Sequence, residues 1–147
     1  EEHWKWATEP NNREKASFLR DNIMPIQEAG HLNFVAKEGE LFTNFKTLFV
    51  NGHTEAQMIP HITYKDKTIV FAADLLPSTG HIPLPYVMGY DTKPLVTLTE
   101  KEKFLNTAAE QDYILFLQHD NYSECCTVVQ TERGVRLKDA FSLSEIL

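Results

Sequence analysis

The chain has 147 residues and a mass of 16.9 kDa, with 42% apolar residues, enough to bury the core of a single domain. Its 21 acidic and 14 basic residues leave a formal charge of -7 and a pI near 5.3, which repels a phosphate backbone and excludes general nucleic-acid binding. The longest apolar runs, 68–73 and 113–117, fall far short of the roughly 20 residues a membrane helix needs, so no membrane partner is expected.

The first residues, Glu1 to Trp6, hold no initiator methionine, basic n-region or apolar h-region, and a cytoplasmic location is the expectation. Trp4, Trp6 and Phe18 read as core or interface packing. Asn11-Asn12-Arg13-Glu14 has the spacing of a capping box, and Leu19, Ile23 and Ile26 follow at helical intervals, which predicts a helix to about Gly30, bent near Pro25. Alternating apolar runs then predict strands near 32–36, 41–43 and 46–50, and a hairpin over 57–73 that turns at Tyr64-Lys65-Asp66-Lys67. Residues 78–90 combine prolines, glycines and large apolar side chains, the composition of a structured loop that walls a site. Thr99-Glu100-Lys101-Glu102 fits a second capping box, opening a helix with Phe104, Leu105, Ala108 and Ala109 on its apolar face. A strand at 113–118, a hairpin at 125–138 turning at Arg133-Gly134, and a short helix from about Ser142 complete the chain, with no internal repeat or dividing linker. Cys125 and Cys126 are neighbours on an extended chain, where disulfide geometry is unfavourable, and read as a reduced pair with one side chain on each face of a strand.

Three segments share one design. The run Thr47-Leu48-Phe49-Val50 leads into Asn51-Gly52-His53, Ile69 to Ala73 into Asp74, and Ile114 to Gln118 into His119. Groups placed just past the ends of strands in one sheet can converge although they lie far apart in sequence. Two imidazoles and a carboxylate suit zinc or another divalent first-row metal. Glycine before His53 is expected to let the backbone turn sharply and aim the ring inward.

Asn51-Gly52-His53-Thr54-Glu55-Ala56-Gln57, Thr68 to Asp74, and Leu115-Phe116-Leu117-Gln118-His119-Asp120 resemble, in order, the third, fourth and fifth motifs of the metallo-beta-lactamase superfamily. The resemblance covers most of the chain and is to lactonase-like and organophosphate-hydrolase-like members. It implies an α/β fold, the C-terminal half of an αββα sandwich, with a mixed sheet and flanking helices in one domain spanning 1–147. His53 then matches the histidine of the G-H-[ST] motif that binds one metal, Asp74 the carboxylate that bridges two, and His119 the last histidine ligand. His81 and Tyr86, in the loop after Asp74, become candidates for contacting substrate, with Tyr90 a further hydrogen-bond donor. The implied activity is hydrolysis of ester, lactone or phosphoester-type bonds of a small molecule through a hydroxide bridging two divalent ions, with zinc as the expected metal.

The H-x-H-x-D-H motif, which supplies four further ligands in that superfamily, is nowhere in this sequence; His3, His31, His61 and His81 are each isolated, and His61 reads as a structural strand residue. The expectation is therefore that a first half is absent, that this piece alone is inactive and binds metal weakly or not at all, and that the absent half or a second copy covers an apolar sheet face. The alternative reading is a non-catalytic binding or assembly module that keeps the fold without an intact metal site.

Overall fold

The computed structural model describes residues 1–146 and divides into two compact units, Glu1–Glu38 and Gly39–Leu147. In the first unit, α1 spans Glu2–Thr8 and α2 spans Arg20–Glu28. The predicted capping at Asn11 forms, since Arg13 N and Glu14 N donate to Asn11 Oδ1, but the chain turns instead of continuing as a helix. The Glu14 carboxylate is taken by Trp6 Nε1 at 2.7 Å, so it serves tertiary packing and no helix starts there. Pro25 is accommodated within α2. Residues 31–36 form no strand; they run past Trp4, whose ring meets Phe34 edge-on at 6.4 Å.

The second unit is a seven-stranded mixed sheet with its strands in chain order: β1 Gly39–Phe42, β2 Phe45–Val50, β3 Gln57–Tyr64, β4 Lys67–Phe71, β5 Ile114–Phe116, β6 Cys125–Thr131 and β7 Gly134–Phe141. Neighbours pair antiparallel, except that β4 and β5 are parallel and joined across 42 intervening residues through α3, Pro94–Glu110. A parallel pair needs such a crossover because a tight turn can only reverse the chain.

Helix α3 starts five residues before the predicted capping box, with Pro94 in its first turn, where the missing N–H of proline costs nothing. Its buried face carries Thr97, Lys101, Phe104, Leu105 and Ala108 at helical intervals. Strand register decides what that face meets. Ile59, Val70, Leu115 and Cys126 fall on one side of the sheet through the pairs His61↔Val70, Val70↔Leu115 and Leu115↔Cys126, and all four are fully buried in the core with Phe104, Leu105 and Ala108. The other side carries Phe49, Ile69, Phe71 and Phe116, half-buried, with Met58 and Ile62 at 44% and 40% exposure. Cys125 and Cys126 lie on opposite sides as predicted, both buried and free, with burial pushing their thiols up to about 11 and about 12. The C-terminal helix is a single 3₁₀ turn, Leu143–Glu145, closed by a Ser142/Glu145 capping box.

Candidate metal centre

Strand direction gathers the three predicted residues. β2 and β4 are each antiparallel to β3, so they point the same way, and β5 is parallel to β4. The C-terminal ends of β2, β4 and β5 therefore share one sheet edge, and His53, Asp74 and His119 each lie within three residues of such an end.

Each is fixed by a separate device. The turn before His53 is gripped by α3, where the Glu100 carboxylate accepts from Asn51 N at 2.8 Å and Gly52 N at 3.0 Å. Lys93 N and Thr92 N donate to the carbonyls of Gly52 and His53. Glycine at 52 is required for a reason other than the predicted sharp turn: its φ is not in the left-handed region, but a Cβ there would lie 2.3 Å from Thr97 N, so the helix approaches as only glycine allows. Asp74 follows Ala73, whose φ of +44° is a left-handed conformation costly for a non-glycine residue and held here by full packing on the core. Gln57 Nε2 donates to Asp74 Oδ2 at 3.1 Å. His119 N donates to Pro77 O at 3.0 Å, while Asp120 accepts from Thr79 N and Oγ1 and from the amides of Tyr122 and Ser123. Burial alone would raise the Asp120 carboxyl, but these hydrogen bonds, led by Thr79, outweigh it and lower the carboxyl to about 2.

The two imidazoles address different oxygens of one carboxylate: His119 Nε2 lies 3.1 Å from Asp74 Oδ1, and His53 Nε2 lies 3.7 Å from Asp74 Oδ2. The other nitrogen of His53, Nδ1, lies 2.9 Å from Oδ1 of Asp91, whose side chain is 1% exposed. A carboxylate oxygen accepts, so His53 Nδ1 donates to Asp91, and Nε2 is the ring nitrogen turned toward Asp74. Two donors about 2.1 Å from a tetrahedral zinc lie about 3.4 Å apart, between the two observed spacings, so the residues fit a metal. They fit it as half of a site: one imidazole and one oxygen at each position is two donors, and among the described residues no group of three or more metal-capable side chains is assembled.

His81 and Tyr86 stand in the adjoining loop with other partners. His81 Nδ1 meets Ser78 Oγ at 2.8 Å, and its pKa is lowered by burial, then by the charge of Lys101, with Asp91 opposing. The side chains of Tyr86 and Tyr90 are exposed. His61 is a structural residue of strand β3, as predicted, and is buried, its Nδ1 donating to Ile59 O and its ring edge-on to Phe104 and Tyr113. Sequence reasoning missed Asp91, Glu100, Gln57 and Lys101. Lys101 is 1% exposed, and burial brings its ammonium down to about 8 against the pull of Asp91.

No protein-family model matches the chain, and no curated protein matches it. Solved structures do. A probable metal-dependent hydrolase from Staphylococcus aureus superposes with a TM-score of 0.78 at 22% identity, over 95% of this chain and 50% of its own. The hydrolase AbOPH of the beta-lactamase superfamily gives 0.76 at 18% identity, over 94% and 50%. AidC, a dizinc quorum-quenching lactonase solved with a product, gives 0.67 at 21% identity, over 90% and 49%. The chain thus has the fold of a beta-lactamase-superfamily hydrolase and spans about half the length of the proteins it resembles, consistent with the C-terminal half.

Proposed function

We propose that this chain forms part of one metallo-beta-lactamase-like domain and contributes His53, Asp74 and His119 to a dinuclear metal centre that hydrolyses a small ester, lactone or phosphoester. The observation that carries the reading is the approach of two imidazole nitrogens to the two oxygens of a single carboxylate, at three strand ends on one sheet edge. His53 would hold one ion, His119 the other, and Asp74 would span both, with zinc the natural choice for this donor set. Divalent ions in such a centre supply a water made acidic by coordination and a Lewis acid that polarises the electrophile. The chain's own residues do the positioning. Asp91 orients the His53 ring and fixes its tautomer, Gln57 and Ala73 set the carboxylate, and the Asp120–Thr79 contacts tie the His119 loop to the loop of residues 78–90. His81 and Tyr86 would meet substrate from that loop, Tyr86 as a hydrogen-bond donor to a developing oxyanion.

The remaining ligands would come from a first half, which would also cover the sheet side bearing Phe49, Met58, Ile62, Ile69 and Phe71; a second copy is the other possible cover. The test is turnover of activated esters, lactones and phosphotriesters by the full-length protein before and after chelation. Loss of hydrolysis with the metal and recovery on zinc addition support the proposal. A protein with neither metal nor turnover is instead the non-catalytic module.

A further inference from the structure

Lysine is rarely buried, yet Lys101 is the largest fully buried side chain among the described residues. Its ammonium leaves the middle of α3 and donates to three backbone carbonyls, those of His81 at 2.9 Å, Pro83 at 3.4 Å and Tyr86 at 2.5 Å. Three N–H groups meet three carbonyls spread over six residues, so the donor capacity of the group is spent on one loop. The loop's own backbone bonds are isolated turns, among them the 3₁₀ turn Thr79–His81 and a turn in which Tyr86 N donates to Pro83 O at 3.0 Å, and the point charge on a flexible four-carbon stem adds a donor to all three carbonyls from one helix position. Ile82, 1% exposed, anchors the same loop in the core, while the Tyr86 side chain is 61% exposed. Lys101 thus grips the loop from beneath and leaves its side chains displayed.

We propose that Lys101 is a positioning residue: by holding the carbonyls of His81, Pro83 and Tyr86 it fixes the loop of residues 78–90 and so the placement of His81 and Tyr86 toward substrate. The substrate part rests on the hydrolase reading above; the loop-fixing part does not. The neighbouring Glu100 grips the His53 turn, so consecutive residues of one helix hold two loops that flank Asp74 in sequence.

The test compares the full-length protein with its Lys101→Met variant, which keeps the stem and removes the ammonium. Amide hydrogen exchange in residues 78–90 should quicken at least tenfold in the variant while the strands β2 to β4 keep their protection. For a substrate turned over by the parent, kcat/KM should fall at least fivefold with metal content changed less than twofold. Unchanged loop exchange, or exchange quickened equally across the chain, overturns the proposal, because a purely structural lysine gives the second pattern. Should Lys101→Met not fold, nitrogen-15 lysine spectra of the parent decide: a slowly exchanging ammonium assigned to Lys101, with couplings to the three carbonyls, supports the grip, and a freely exchanging one refutes it. An inactive parent removes only the kinetic readout and counts against the hydrolase reading, leaving the exchange readout to judge the grip.

Discussion

Replacing Gly52 by alanine adds one methyl group at the point where the His53 turn touches α3. That methyl carbon would sit 2.3 Å from both the backbone nitrogen and the Oγ1 of Thr97 and 2.5 Å from its Cα. Comfortable carbon contacts begin near 3.5 Å, so the turn and the helix must separate by about 1 Å. The separation acts directly on the Glu100 carboxylate, whose bonds to Asn51 N and Gly52 N are 2.8 and 3.0 Å long and would stretch past the useful range of about 3.2 Å. Overpacking costs about 1–3 kcal/mol and a charge-assisted hydrogen bond is worth about 1.5–3 kcal/mol. Because one displacement causes both losses they do not simply add, and about 3 kcal/mol is the expected destabilisation. Denaturant unfolding of the full-length protein measures this, alongside zinc affinity, which should weaken as His53 moves. Adding Thr97→Ala removes the hydroxyl and the γ-methyl but leaves the contacts with N and Cα, and should rescue little. A Gly52→Ala protein within about 0.5 kcal/mol of the parent, with unchanged zinc affinity, would show that the close approach is not needed.

Burial lowers the pKa of His61 from its usual 6.5, so the unfolded chain binds the proton more readily. Stability from this group is full above pH 6.5 and is lost as pH falls below it, and His61→Phe should flatten the curve between pH 8 and 5; parallel curves for parent and variant would contradict this. Asp91→Asn keeps the shape of the residue but ends the acceptor-only partnership with His53 Nδ1. Zinc affinity should fall about 10–100-fold, as measured by competition with a chromophoric chelator, and an unchanged affinity would remove Asp91 from the centre.

The strand ends were legible in sequence because each apolar run closes on one metal-capable side chain; that the three could meet followed from the superfamily resemblance, and the strand directions put His53, Asp74 and His119 past ends on one edge. The hairpins at 57–71 and 125–141 were legible for a similar reason: their turn residues sit between alternating runs. What stayed hidden depends on partners distant in sequence. Glu100 has the spacing of a local capping residue, but its carboxylate serves amides 48 and 49 residues away. Asp91 precedes a helix and looks like a cap, yet its acceptor faces a ring 38 residues earlier. Lys101 has an ordinary helical context, and nothing local marks it as buried. Residues 32–36 alternate like a strand but find an aromatic neighbour in place of a strand to pair with.

Metal content of the purified full-length protein, by inductively coupled plasma mass spectrometry after expression with added zinc, tests the central claim most directly when Asp74→Ala is measured beside the parent. Asp74 offers one oxygen toward each histidine, so the account predicts two divalent ions per chain in the parent and loss of both, or retention of one at much lower affinity, in the variant. A parent without metal, or an Asp74→Ala protein that keeps both ions as tightly as the parent, would contradict the assignment of His53, Asp74 and His119 as ligands.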